Sequence, residues 1–311
     1  LEHFTSKFSV NVIDDSDDEL VVDLVGIDAP IANALRRILL AEVPTMAIEN
    51  VFFIKYTSIM QEEVFAQRLG MVPLFIDPRL FSMREEGAAP TPEDTVVFSL
   101  DVEGTEGDLP SHHTSVMSGD LKWVPKGTPS AEMLANPPRP VHDDILLCKL
   151  KPGQRIHVEC WAVKNIGREH AKWSPVSTAT YRLLPEIQFT EPVTGDAAEQ
   201  LVSSVCPVNV FDIEDLGGVR TAVTARPRDC TMCRNCIREA PLDSQIKLLR
   251  KLDHFIFSIE STGALPARQL FREALGILIE KAKAVSSSVT AAVEGGVGGG
   301  DGDLDLDGDE G

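Results

Sequence analysis

The chain has 311 residues, with 29 Lys and Arg against 48 Asp and Glu and a net charge of −19 at neutral pH. Seven of the acids (Glu294, Asp301, Asp303, Asp305, Asp307, Asp309 and Glu310) sit at the C-terminal end, leaving about −12 on the body. So acidic a body argues against primary binding to nucleic acid, which rewards clustered Lys and Arg, and no run nears the roughly 18 apolar residues of a membrane span.

In chain order, Phe8–Val12 and Leu20–Val25 are strand-like runs on either side of an acidic DDSDDE turn, which predicts a hairpin. Then comes DAPIANALRRILLAEVPTMAIENVFFI (28–54), where Ile31, Ala34, Leu35, Ile38 and Leu39 recur at the spacing of an amphipathic helix. Asp28 can accept from the first free backbone N–H groups, Pro30 is tolerated in the first turn, and Pro44 stops the helix. Ala47–Tyr56 reads as a strand. Taken alone, the helix could simply cap its own small core, with Arg36 and Arg37 solvated or paired to an acidic neighbour. Gln61–Leu69 is a short helix, Gly70–Pro73 a turn, and the Pro-, Gly- and acid-rich stretch Arg84–Asp94 a loop.

Val96–Val102 and Leu121–Val124 are the next strands, flanking a polar loop. Adjacent residues on an extended segment point opposite ways, so His112 and His113 read as loop residues rather than a metal pair. The same holds for Asp143 and Asp144, which have no third group to orient them as a general acid and base. Pro125–Pro140 is extended surface, and HDDILLCKLKPGQRIHVECWAVKNIG is strand, Pro-Gly turn, strand. Cys148 and Cys160 within it are ordinary buried thiols. HAKWSPVSTATYRLLP (170–185) is a loop and a strand, without a Ser/His/Asp order that would suggest a nucleophile.

One constellation carries explicit chemistry: Cys206-Pro207, then Cys230-x-x-Cys233-x-x-Cys236. Three thiolates so spaced can hold three corners of a cubane cluster, and a distant Cys-Pro can supply the fourth. Val208–Ile213 and Val219–Ala225 predict a hairpin about Gly217-Gly218, which would return Cys206 to Cys230. Arg226, Arg228, Arg234 and Arg238 surround the thiolates of an anionic cluster. Three occupancies stay open: an iron–sulfur cluster ([4Fe–4S] or [3Fe–4S]) acting as a structural staple, zinc on the same four cysteines, or a vestigial, empty site.

QIKLLRKL, within Leu242–Leu252, predicts another short helix, and His254–Ser261 a strand. The last helix, Ala267 to about Val285, confines Arg272, Glu273, Glu280 and Lys283 to a narrow stripe. Its apolar arc is wider than one core face needs, so part of it should pack on another chain. From about 291 the Gly- and Asp-rich sequence predicts a disordered acidic tail. It is neither a phosphate-binding loop nor a calcium loop.

NALRRILLAEVPTMAIENV (33–51) resembles the signature of the α-like subunits of multisubunit RNA polymerases. The resemblance continues through SIMQEEVFAQRLGMVPL (58–74), RPVHDDILLCKLKPGQRI (139–156), HAKWSPVSTATYRLLPEI (170–187) and FIFSIESTGALP (255–266). It is to the larger α-like subunit shared by eukaryotic polymerases I and III in particular. In the polymerase II counterpart the inserted domain carries a cysteine-rich zinc loop, and this chain has no cysteine between Asp77 and Val124. The resemblance implies an α+β fold in which a discontinuous dimerisation domain (1–46 and 247–290) carries an inserted, mainly β domain (47–186). It also implies a small ferredoxin-like cysteine subdomain (187–246) and a tail (291–311).

The implied role is a non-catalytic, nuclear assembly subunit for the transcription of rRNA, tRNA and 5S RNA, in nucleolus and nucleoplasm. It would pair with the smaller α-like subunit and dock the second-largest subunit and the small zinc-bearing subunits, with no sequence-specific contact to nucleic acid. Leu35, Ile38 and Leu39 with Leu270, Ala274 and Leu278 are the implied heterodimer contacts, and Arg36 and Arg37 contacts to a large subunit. Two competitors are an archaeal, cytoplasmic counterpart, which the intact cysteine set would suit, and an iron–sulfur electron carrier. The second lacks a cofactor fingerprint such as G-x-G-x-x-G after a strand.

Overall fold

The computed structural model describes residues 2–85, 87–106, 113–215, 217–238 and 242–296. A short helix α1 (Glu2–Lys7) leads into the expected hairpin of β1 (Ser9–Asp15) and β2 (Glu19–Val25). Helix α2 (Ala29–Ala41) follows, and β3 (Pro44–Tyr56) starts at the proline that ends it. Asp28 is the N-cap residue, yet its carboxylate caps nothing. Its carbonyl accepts instead from the N–H groups of Ile31 and Ala32, at 3.1 and 3.3 Å.

The second block runs α3 (Glu62–Gly70), β4 (Leu74–Phe75), β5 (Thr95–Glu103), β6 (Thr114–Met117), β7 (Lys122–Val124), α4 (Ala131–Ala135), β8 (Arg139–Pro140), β9 (Leu146–Leu150) and β10 (Arg155–Ile166). After β11 (Val176–Phe189) come α5 (Asp196–Gln200), one π-helical turn, and the hairpin β12 (Phe211–Asp215) and β13 (Arg220–Thr224). The chain closes with α6 (Leu242–Gln245), β14 (Ile246–Ser261) and α7 (Ala267–Gly296).

These elements build three cores. The first sheet, in the order β1-β2-β14-β11, is covered by α2 and α7, with Leu20, Val22, Leu39, Phe255, Phe257 and Leu270 between the layers. The second sheet, β3-β10-β5-β7, buries alternate residues of β10 (Ile156, Val158, Cys160, Ala162), as the two-residue period of a half-buried strand requires. Phe65 of α3 and Phe98 and Leu100 of β5 fill the same core. The third core lies around the β12–β13 hairpin, with Leu201, Phe211 and Cys236 inside.

Three expectations change. QIKLLRKL is helical only to Gln245, and the rest is the first half of β14, paired with β11 from Ile246↔Phe189 to Arg250↔Pro185. A waiting partner strand outweighs the helix propensity of Leu, Lys and Arg. β11 itself belongs to the first sheet, so the proposed boundary at 186 falls inside a strand of the dimerisation layer rather than at its edge. Helix α7 continues to Gly296, six residues into the stretch expected to be tail, while 297–311 and His112 lie outside the described residues.

Candidate subunit interface and cysteine site

α2 and α7 pack side by side over the first sheet. Leu35, Ile38 and Leu39 of α2 and Leu270 and Ala274 of α7 are all buried in this chain's own core. The isolated chain therefore does not present them to a partner, and of the six expected contacts only Leu278 lies at the rim, half-buried. Helical periodicity marks a buried stripe without saying whose atoms bury it.

What the pair does present is Ile31 on α2 and Leu275, Ile279, Val285 and Val289 on α7, between 36% and 64% exposed. Lys281 Nζ reaches the Glu42 carboxylate at 2.6 Å and ties α7 to the end of α2. From Lys281 to Ala292 every α7 residue is exposed. Arg36 donates to Asn33 Oδ1 at 3.0 and 3.3 Å, whereas Arg37 is exposed and makes no ion pair among the described residues.

In the third core, beside the β12–β13 hairpin, Cys206 and Cys230 are partly buried and pack against a cluster that includes buried Cys236. The Val210 N–H donates to Cys206 Sγ at 3.4 Å. Burial pushes the Cys236 thiol up to about 11, and the neighbouring Cys230, Cys206 and Cys233 add to the effect. Cys233 is exposed and sits between Met232 and Arg234, which hold φ of 60° and 66°. Left-handed backbone at residues with a Cβ costs of order 1–2 kcal/mol each, so this turn is held by its surroundings.

Four thiols at one end of a lobe are an apt donor set for zinc or an iron–sulfur cluster. Among the described residues, however, no group of three or more His, Cys, Asp or Glu is placed to hold a metal ion. Burial also opposes the deprotonation that ligation needs, an opposition that only a metal's own charge would offset. The arginine ring about the thiolates is only half available. Arg226 is committed to Asp212 at 2.5 and 2.8 Å and Arg228 to Asp23, while Arg234 and Arg238 make no ion pair among the described residues.

Sequence reasoning missed that last partnership. Asp23, on β2, is buried and takes Arg228 Nη1 on both carboxylate oxygens at 2.8 and 2.7 Å, with His254 Nε2 at 3.0 Å. Arg182 Nη2 in turn donates to the Arg228 carbonyl at 2.8 Å. The loop that leads into Cys230 is thus latched to β2 through Asp23, which His254 of β14 also holds, and braced from β11 by Arg182. A signal existed: Asp23 is the one acid inside the apolar run LVVDLV. The other candidates stay ordinary. Asp143 and Asp144 are exposed turn residues, Cys148 is buried with Ser58 Oγ at 3.2 Å, and burial pushes the Cys160 thiol up to about 12.

Residues 21–282, from inside β2 into α7, match the RNA polymerase Rpb3/Rpb11 dimerisation domain. The chain belongs to that family. Within the family it is similar to the DNA-directed RNA polymerases I and III subunit rpac1 of Dictyostelium discoideum, at 49% identity over 298 residues, covering 94% of this chain and 85% of that one. The corresponding subunit RPAC1 of Saccharomyces cerevisiae is 38% identical, covering 91% of this chain and 88% of its own. The archaeal subunit Rpo3 of Methanobrevibacter smithii is 31% identical, covering 88% and 95%. A match that starts in β2 and ends in α7 takes in both halves of the α2/α7 layer.

Proposed function

We infer that this chain is a non-catalytic assembly subunit of nuclear RNA polymerases I and III that acts by pairing through its α2/α7 layer. The higher identity to the subunits of polymerases I and III than to the archaeal one favours the eukaryotic role. The observation that carries the pairing is α7 itself. Its 30 residues span about 45 Å, and from Lys281 to Ala292 every residue is exposed, with the Lys281–Glu42 ion pair tying that stretch to α2. Leu275, Ile279, Ala282, Val285 and Val289 recur along α7 at three- and four-residue steps, the seam that one helix offers another.

The partner on that seam is the smaller α-like subunit. Leu278 and the exposed residues beside it make the contact, and Leu35, Ile38, Leu39, Leu270 and Ala274 act from beneath by fixing the helix pair. The resulting platform docks the second-largest subunit and the small zinc-bearing subunits, with Arg36 and Arg37 turned toward a large subunit, in nucleolus and nucleoplasm. Cys206, Cys230, Cys233 and Cys236 are the residues that would hold an iron–sulfur cluster or zinc. The bound group would staple the hairpin to the loop, and no electron transfer is asked of it.

Co-expression with the smaller α-like subunit under anaerobic conditions tests both parts, with metal content and visible absorbance read on the same chromatographic peak. A 1:1 complex that is lost on Ile279→Asp, a change at an exposed position, supports the interface. Leu278→Asp should act in the same direction. Undiminished co-purification of Ile279→Asp would sink it. A pair carrying iron or zinc supports the staple, and a metal-free pair whose cysteine lobe is equally protease-resistant with and without added metal removes it.

A further inference from the structure

The strand β14 changes company along its length. From His254 to Glu260 it lies between β2 and β11, but from Ile246 to Arg250 only β11 pairs with it, and no strand among the described residues covers the other edge. That open end reads Lys247-Leu248-Leu249-Arg250-Lys251-Leu252, three cations and no acid in a chain whose body carries about −12. Lys247, Leu249, Arg250, Lys251 and Leu252 are all exposed, Leu249 at 43% and Leu252 at 79%. None of the three cations makes an ion pair among the described residues, although Arg79, Arg155, Arg220 and Arg226 all do.

Lysines on an open edge often serve only to repel other strands. A guarded edge, however, has no reason to leave two leucines bare between its charges.

We propose that the open edge of β14 is a docking surface for an extended acidic segment of a partner polypeptide that carries apolar side chains among its carboxylates on both of its faces. The carboxylates pair with Lys247, Arg250 and Lys251, the apolar residues lie on Leu249 and Leu252, and the unpaired backbone of the edge is free to receive a strand. Nucleic acid would meet the same cations, but the bare leucines and the open backbone edge offer phosphates nothing. This surface is independent of the α7 seam.

The test is fluorescence anisotropy with the full chain and a labelled nine-residue peptide of Asp and Leu, ordered so that Asp falls opposite the three cations and Leu opposite the leucines of β14. The expected result is saturable binding that weakens at least about 10-fold in Lys247→Glu/Lys251→Glu and in Leu249→Ser/Leu252→Ser, with unchanged Tm, since all four side chains point into solvent. A peptide with Ser in place of Leu should bind at least about 10-fold more weakly. Equal binding of that Ser peptide, or of a nine-nucleotide single-stranded DNA, would overturn the proposal in favour of plain charge attraction. Much tighter peptide binding by a chain ending at Gly296 would give the site to the chain's own Asp303–Asp307 run, and would overturn the partner assignment as well.

Discussion

Removing the Asp23 carboxylate, as in Asp23→Ala, should loosen the cysteine lobe before it loosens anything else. The Asp23 side chain is 7% exposed and that of Arg228 29%, so the pair is neither a surface contact nor fully dry. Breaking a buried pair costs about 3–5 kcal/mol because one charge is left stranded. Water can reach part of the Arg228 guanidinium, which lowers the figure to about 2–3 kcal/mol. Some stranding exists already, since Arg228 Nη2 is buried without a partner.

At about 1.4 kcal/mol per decade, this corresponds to roughly 30- to 150-fold more frequent opening of the loop from Arg226 to Cys236. Native-state hydrogen exchange resolves such local opening. Amides of 226–236 should exchange faster by about that factor while those of β5 and β10, in the second core, stay fixed. A double-mutant cycle with Arg228→Ala should then give a coupling of at least about 1 kcal/mol. Exchange changed by less than about two-fold in Asp23→Ala, or strictly additive single variants, would refute the latch.

Two further outcomes follow from burial. Alkylation of the metal-free chain should mark exposed Cys233 first, and Cys236 and Cys160 last. A thiol raised to about 11 or 12 is mostly protonated below that pH, so its labelling should keep climbing past about pH 10, where an ordinary thiol is nearly all thiolate; mass spectrometry across roughly pH 7 to 11 checks this. Phe65→Ala should cost about 3–5 kcal/mol, since Phe65 is fully buried in the second core. Urea unfolding should show the loss in the transition of that lobe, with the α2/α7 pairing activity retained.

Where local pattern and tertiary demand agree, the fold was legible. The stripe of α2, the alternation along β10, and the Gly217-Gly218 hairpin all sit where their periods and turn residues put them. Misreadings came from two physical sources. Ile246–Arg250 has the composition of a helix and is a strand because β11 is there to receive it, a fact encoded some sixty residues away in the pairing of Phe189 with Ile246. Leu35, Ile38, Leu39, Leu270 and Ala274 are expected as heterodimer contacts and lie buried in this chain's own core, because burial within a chain and burial between chains leave the same trace in a sequence. The latch was harder still: Asp23, Arg228 and His254 come from three distant segments, and only the antiparallel pairing of β2 with β14 beside the cysteine loop brings them together.

The register of β11 against β14 has an architectural consequence. Phe189 faces Ile246 directly, so everything from Thr190 to Gln245 is a detour between two positions that already touch. A two-residue turn could in principle close that gap, keeping the strand pairing of the first sheet while exposing Ile187, Phe189, Ile246 and Leu248 where the lobe now packs and freeing Asp23 from Arg228. The cysteine lobe is therefore a replaceable part: it can be enlarged, reshaped or stripped of its thiols without renegotiating the sheet that carries it. Selection is free to vary what this lobe binds while the ribbon beneath it keeps the same course.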